Sequence, residues 1–145
     1  MNKKIKNATV TFFDGIQFKS ILEKKVYEKL KESGFQPNYE AQTFLLVEGF
    51  KPTVPFWVYN KKQHCFKNNS SKLRDWSYTP DFIIDYNGYK IIIEVKGFQN
   101  DIFPYKFKLF RKLLEKANDK DRYIVVKINS VKEASEFIEY LKQSL

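Results

Sequence analysis

Tyr78-Thr79-Pro80-Asp81-Phe82-Ile83-Ile84-Asp85-Tyr86-Asn87-Gly88-Tyr89-Lys90-Ile91-Ile92-Ile93-Glu94-Val95-Lys96-Gly97 is the stretch on which the reading of this chain turns. Asn87-Gly88 is a strong two-residue hairpin signal, because both residues tolerate the positive φ that a tight turn between twisted strands needs. Residues 78–86 and 89–95 read as the two strands it joins. The second is almost continuously apolar, so both of its faces are expected to be covered. Side chains two apart on a strand share a face, which puts Glu94 and Lys96 together. The turn brings Asp81, at the start of the first strand, beside the end of the second. Asp81, Glu94 and Lys96 are therefore expected to converge at one end of a sheet. Two carboxylates held together repel unless a cation stands between them. A hard divalent ion such as Mg²⁺ suits a few carboxylates and several waters, and a lysine beside it can orient a water or neutralise developing charge. Glu-x-Lys alone is common at solvated strand ends. Pro80-Asp81 on the partner strand and the Ile91-Ile92-Ile93 run give it weight.

Outward from the hairpin, residues 103–117 read as a helix that carries Phe107, Phe110, Leu113 and Leu114 inward. Residues 122–128 read as a second buried strand and 131–141 as a final helix. A right-handed crossover through the 103–117 helix lays the 122–128 strand beside the hairpin. Upstream, Leu22, Val26 and Leu30 form one stripe of a helix from about Gln17 to Gly34. Ser20 and Glu23 look like a capping box, which moves the start of that helix inward. Residues 39–47 read as one extended segment, and 1–16 as a polar tail with an apolar patch at Phe12 and Phe13. The 48–77 stretch reads as a long basic loop, within which 54–59 and 63–66 form a hairpin across Asn60-Lys61-Lys62. The expected fold is α/β: one domain over 1–145, a mixed central sheet flanked by helices, with its core over about 17–128.

Composition bounds the function. The chain has 145 residues, 43% hydrophobic and 30% charged, with 5 Gly and 5 Pro, which excludes a disordered or low-complexity chain. Its 26 Lys and Arg against 17 Asp and Glu give a net charge of +9, which favours a polyanionic partner. No apolar run approaches the length of a membrane span. Met1-Asn2-Lys3-Lys4 is not followed by an apolar stretch, so no signal peptide is expected. One cysteine, Cys65, permits no internal disulfide and points to the reducing cytoplasm. His64 and Cys65 are adjacent, which is poor geometry for a shared zinc ion, and read as structural. Trp57 and Trp76 read as packing the long loop to the sheet ahead of touching DNA, and Phe107 and Phe110 as core ahead of base-stacking.

Four motifs in order, Phe18-Lys19-Ser20-Ile21-Leu22-Glu23, Tyr39-Glu40, Tyr78-Thr79-Pro80-Asp81-Phe82 and Glu94-Val95-Lys96-Gly97, resemble the PD-(D/E)XK nuclease superfamily. Within it they are most similar to phage-type endonuclease I, the Holliday-junction resolving enzymes. The resemblance implies a restriction-endonuclease-like αβββαβ core and metal-assisted hydrolysis of DNA phosphodiesters by in-line attack of a water. It implies Asp81 and Glu94, with the Val95 carbonyl, as ligands of Mg²⁺ (Mn²⁺ substituting). Glu23 helps to hold a second ion and Lys96 attends the nucleophilic water. It also implies a homodimer acting on branched DNA, in a host cytoplasm if phage-encoded, with the apolar 44–59 region as a candidate contact. Asn38 departs from an acidic position of that family, the 48–77 segment is longer, and the 103–117 helix matches less well.

Two acids keep a second reading on the residues alone. Glu23 can serve the capping box as well as reach over the sheet, and Glu40 is either a further acid of the cluster or a solvated strand-end charge. Candidate DNA contacts are Arg74, Lys106, Lys108, Arg111, Lys112, Lys61 and Lys62, each of which also fits a solvated face. The alternatives to branched-DNA cleavage are cutting of ordinary duplex DNA or DNA ends, a silent DNA-binding module, and a basic adaptor for protein or RNA.

Overall fold

The computed structural model describes residues 9–145, so the first eight residues of the expected polar tail lie outside the described part. In chain order the elements begin with β1 (Thr11–Phe13), β2 (Ile16–Phe18), α1 (Ile21–Glu32), β3 (Asn38–Tyr39) and β4 (Phe44–Val47). They continue with β5 (Trp57–Asn60), β6 (Cys65–Asn68), β7 (Trp76–Tyr78), β8 (Phe82–Tyr86) and β9 (Tyr89–Val95). Last come α2 (Phe103–Leu114), β10 (Tyr123–Ile128) and α3 (Val131–Ser144).

The architecture is mixed α/β. The central sheet has the order β10-β9-β8-β3, with β9 parallel to β10 and the other pairs antiparallel. Asn87 and Gly88 make the β8–β9 turn with φ of 48° and 84°. Ile91, Ile93 and Val95 enter one core with Val26 and Leu30 of α1 and Ile138 and Leu141 of α3. Ile92 and Ile83 enter a second core with Phe44, Tyr78, Phe110 and Leu114. Strand β9 is thus covered on both sides, as its unbroken apolar run requires. Strand β10 is only half-buried over most of its length, contrary to the expected buried strand, because it lies at the sheet edge with one neighbour.

Local chemistry sets the helix ends. Ser20 accepts the Glu23 N–H at 3.1 Å and donates its hydroxyl to the Glu23 carboxylate at 2.9 Å, so α1 starts at Ile21 rather than near Gln17. At its other end Gly34 takes φ +91°. The Gly34 and Phe35 N–H groups then return to the Lys31 and Leu30 carbonyls at 3.0 and 3.1 Å, closing a Schellman motif.

Two stretches differ from expectation. The Phe12–Phe13 patch belongs to a β1–β2 hairpin turning at Asp14-Gly15, with φ of 53° and 73°. The 39–47 segment is not one strand. Only Asn38 and Tyr39 pair with β8; Glu40 takes φ 44°, and β4 pairs with β7 in a separate sheet. What draws β4 away is its side chain Phe44, whose ring packs 4.9 Å from that of Phe110 on α2.

The 48–77 segment holds the expected hairpin in a shifted position, β5 against β6, with a two-stranded sheet of its own. The Asn60 side-chain oxygen accepts the Lys62 and Gln63 N–H groups at 3.0 and 3.1 Å and so caps the turn. Gly49 closes the root of this arm: a Cβ there would stand 2.5 Å from the Leu73 carbonyl oxygen. Among the described residues no helix is long and apolar enough to cross a membrane.

Candidate active site

The β8–β9 register pairs Phe82 with Ile93. One further step sets Asp81 across from Glu94, on the face that Ile92 shares. Both carboxylates are buried, at 8% and 2% exposure, where an acid needs a partner. Asp81 Oδ2 accepts the Val95 N–H at 2.6 Å. Glu94 Oε1 is 2.7 Å from the Lys96 ammonium, and its Oε2 accepts the Tyr78 hydroxyl. Lys96 Nζ in turn lies 4.6 Å from the Phe103 ring centroid, a cation–π position that fixes it over the first turn of α2.

Electrostatics follow from that geometry. Burial, followed by the Glu94 charge, pushes the Asp81 carboxyl up to about 8, against the pull of the Val95 N–H. The Tyr78 hydroxyl is driven well above its ordinary range by burial and by Glu94, so it remains a donor. Tyr39 behaves likewise, through burial and its bond to Glu23.

Glu23 reaches the site from α1. Its Oε2 accepts the Tyr39 hydroxyl at 2.6 Å and the Lys19 N–H at 3.2 Å, while its Oε1 accepts from Ser20. Both sequence readings therefore describe the same side chain: it caps α1, through the Lys19 N–H and the Ser20 hydroxyl in place of the Ser20 N–H of a strict capping box, and its charge helps to raise Asp81. Glu40 forms an ion pair with Lys19 on the rim, and its N–H donates to the Asp81 carbonyl at 2.9 Å. Among the described residues no three His, Cys, Asp or Glu side chains form a metal-chelating group.

Glu23, Glu40, Tyr78, Asp81, Glu94 and Lys96 line one cleft of about 540 Å³. Of the candidate DNA contacts only Lys106 lies in it, with Nζ donating to the Ser77 carbonyl at 3.0 Å and resting 5.7 Å from the Trp76 ring. Lys108, Arg111 and Lys112 instead line a depression of about 570 Å³ that also contains Lys127. A helix cannot aim four cations spread over seven residues at one spot, since each step turns about 100°. Lys61 and Lys62 sit on the turn of the β5–β6 hairpin and Arg74 is exposed on its return.

Sequence reasoning assigned no task to Tyr78, Tyr39, Lys19 or Phe103. Tyr78 comes three residues before Asp81 across Pro80, outside any strand periodicity, and Tyr39 meets Glu23 only through tertiary packing. The Tyr78-Thr79-Pro80-Asp81 and Tyr39-Glu40 motifs were the available signal, and they carry no indication of which carboxylate each tyrosine holds.

Comparison with curated proteins and with solved structures yields no match. A family model described as "Protein of unknown function (DUF1064)" matches residues 2–133. That span takes in every described strand and both helices that border the cleft, and the chain belongs to the DUF1064 family.

Proposed function

We propose that the chain is a divalent-cation-dependent DNA endonuclease of the PD-(D/E)XK kind, with α1, β3, β8, β9, α2 and β10 standing for the αβββαβ core. The observation that carries this reading is the gathering of two buried carboxylates and an ammonium, Asp81, Glu94 and Lys96, in one cleft of a strongly basic chain. Asp81 and Glu94, with the Val95 carbonyl, would hold Mg²⁺ or Mn²⁺. Their chemistry fits such an ion: hard oxygen donors, few in number, whose mutual repulsion a positive charge relieves. When bound, the ion supplies Lewis-acid chemistry at the phosphate and acidifies water.

The remaining work falls to the chain's own groups. Tyr78 and Lys96 each take one Glu94 oxygen and so fix the carboxylate plane. The Lys96 ammonium can orient a water or neutralise charge that builds on the phosphate oxygens. Glu23 acts as a positioning residue that ties α1 to Tyr39 and contributes negative charge, and a second ion would reach it through water. Lys106, anchored on Ser77, has N–H groups left for a phosphate. Branched DNA is the favoured substrate and a homodimer the favoured state, on the resemblance to endonuclease I.

A silent DNA-binding module is the second reading. The Lys96–Glu94 ion pair favours it, because it occupies one carboxylate oxygen. The test compares a four-way junction, a linear duplex and single-stranded DNA, each with Mg²⁺ or EDTA. Cutting is expected with Mg²⁺ alone and not by Glu94→Gln or Lys96→Ala, both checked for folding by circular dichroism. Equal cutting of all three substrates removes the branched-DNA reading. Undiminished cutting by either variant removes the assigned site, and binding without any cutting leaves the silent module. Calorimetric titration with Mn²⁺ separates all of these from a basic adaptor, which takes up no metal.

A further inference from the structure

The β5–β6 hairpin buries almost nothing. Every residue from 53 to 76 except Asn60 is exposed, although the stretch is rich in aromatic rings. Partners across an antiparallel ladder share a face. The register Trp57–Asn68 and Tyr59–Phe66 therefore puts three rings on one side, at 60%, 47% and 65% exposure. The expected packing of Trp57 against the sheet does not occur. Tyr59 and Phe66 meet edge to face at 5.2 Å, and both rings remain largely exposed. Residues 51–74 also carry Lys51, Lys61, Lys62, Lys67, Lys72 and Arg74 and not one carboxylate.

We infer that this hairpin is a single-strand-binding arm: Trp57, Tyr59 and Phe66 stack on unpaired bases while Lys61 and Lys62 on the turn neutralise the adjoining phosphates. Exposed aromatic patches mark interaction sites. Base faces are hidden inside a duplex and open in a single strand, and stacking is indifferent to sequence. The charge argues against a second copy on the same face. A two-fold contact is self-complementary, so a pair of arms would bring together two basic segments, neither with a carboxylate within 51–74 to offset the other's charge. Continuity argues for nucleic acid as well. The arm returns through β7, where Trp76 lines the cleft under Lys106 and Tyr78 holds Glu94. The inference deepens the nuclease reading and rests on it for its purpose, since it makes the substrate one with an unpaired segment beside the cut.

The test uses the full chain in EDTA, so that no cutting occurs. Fluorescence anisotropy measures binding of a labelled oligo-dT single strand and of a duplex of equal length to the wild type and to Trp57→Ala/Phe66→Ala. Stacking is worth about 1–3 kcal/mol per base. The double variant is therefore expected to lose roughly 30-fold or more in single-strand affinity, with duplex affinity changed less than about threefold. Lys61→Ser/Lys62→Ser is expected to flatten the salt dependence on both ligands. Because the replaced rings are exposed, the melting temperature should hold. Equal losses on both ligands, or no loss on either, overturn the inference. So does a fall in sedimentation mass in the double variant with DNA binding intact, which assigns the patch to self-association. Binding to phosphatidylserine vesicles that needs the rings as much as single-strand binding does overturns it too. Arm-dependent binding in a chain that cuts no substrate with Mg²⁺ refutes the nuclease reading alone, whereas Mg²⁺-dependent cutting without arm-dependent binding refutes the arm alone.

Discussion

Asp81→Asn is expected to make the protein more stable while it abolishes cleavage. The wild-type carboxyl is buried beside Glu94, and its ordinary value of 3.8 is pushed up to about 8. At ~1.4 kcal/mol for each tenfold step, holding it ionised costs up to about 6 kcal/mol. Buried sites respond as if their effective dielectric constant were about 20, so the measurable part should be nearer 2–4 kcal/mol. The sign follows from proton binding. Between the two values the folded protein holds a proton that the unfolded chain releases, so wild-type stability falls as pH rises from about 4 to about 8. Asparagine has nearly the same shape and its side-chain oxygen can still accept the Val95 N–H, which removes the charge and keeps the bond. Urea unfolding in EDTA at about pH 5 and about pH 9 reads the effect: the wild type loses stability between them and the variant does not. Mg²⁺ at 100 times its dissociation constant should restore about 2.7 kcal/mol to the wild type and nothing to the variant. A wild type whose stability is flat or rising over that range, or a variant less stable than the wild type at the higher pH, refutes the reasoning.

Tyr78→Phe leaves a buried Glu94 oxygen without its donor, and a loss of about 1–3 kcal/mol in urea unfolding is expected together with weaker Mg²⁺-dependent cutting. Ile92→Ala opens a cavity between β9 and α2, and the expected destabilisation is about 2–5 kcal/mol with an unchanged m-value. Gly49→Ala drives a methyl group into the Leu73–Asp75 backbone, and about 1–3 kcal/mol of strain is expected. Proteolysis between residues 50 and 73 should be faster in that variant, and equal rates would show that the root of the arm gives way without cost.

The centre of the fold was legible because its signals are local or strictly periodic. Asn87-Gly88 sets a turn by its own φ preference, Ser20 and Glu23 cap α1 within one turn, and the Ile91–Ile93 run admits only a strand covered on both faces. The spacing of Glu94 and Lys96 placed them on one face without any knowledge of the rest. Asp14-Gly15 carried the same kind of turn signal for β1 and β2, but three residues on each side make too short a pattern to read as strands. The break at Glu40 was not legible, since it depends on Phe44 finding Phe110 more than sixty residues away.

The amino-acid order alone therefore determined which groups have charge, where the chain must turn, and which acids stand at the strand end, since these depend on neighbours within a few bonds or on the two-residue repeat of a strand. Tertiary structure alone decided how deeply Asp81 and Glu94 are buried, that Tyr78 and Tyr39 hold the two glutamates, that Lys106 enters the cleft while Lys108, Arg111 and Lys112 do not, and that Trp57, Tyr59 and Phe66 stay in water. Burial and long-range hydrogen bonds depend on which distant surfaces meet, and packing settles that only when all the elements are in place.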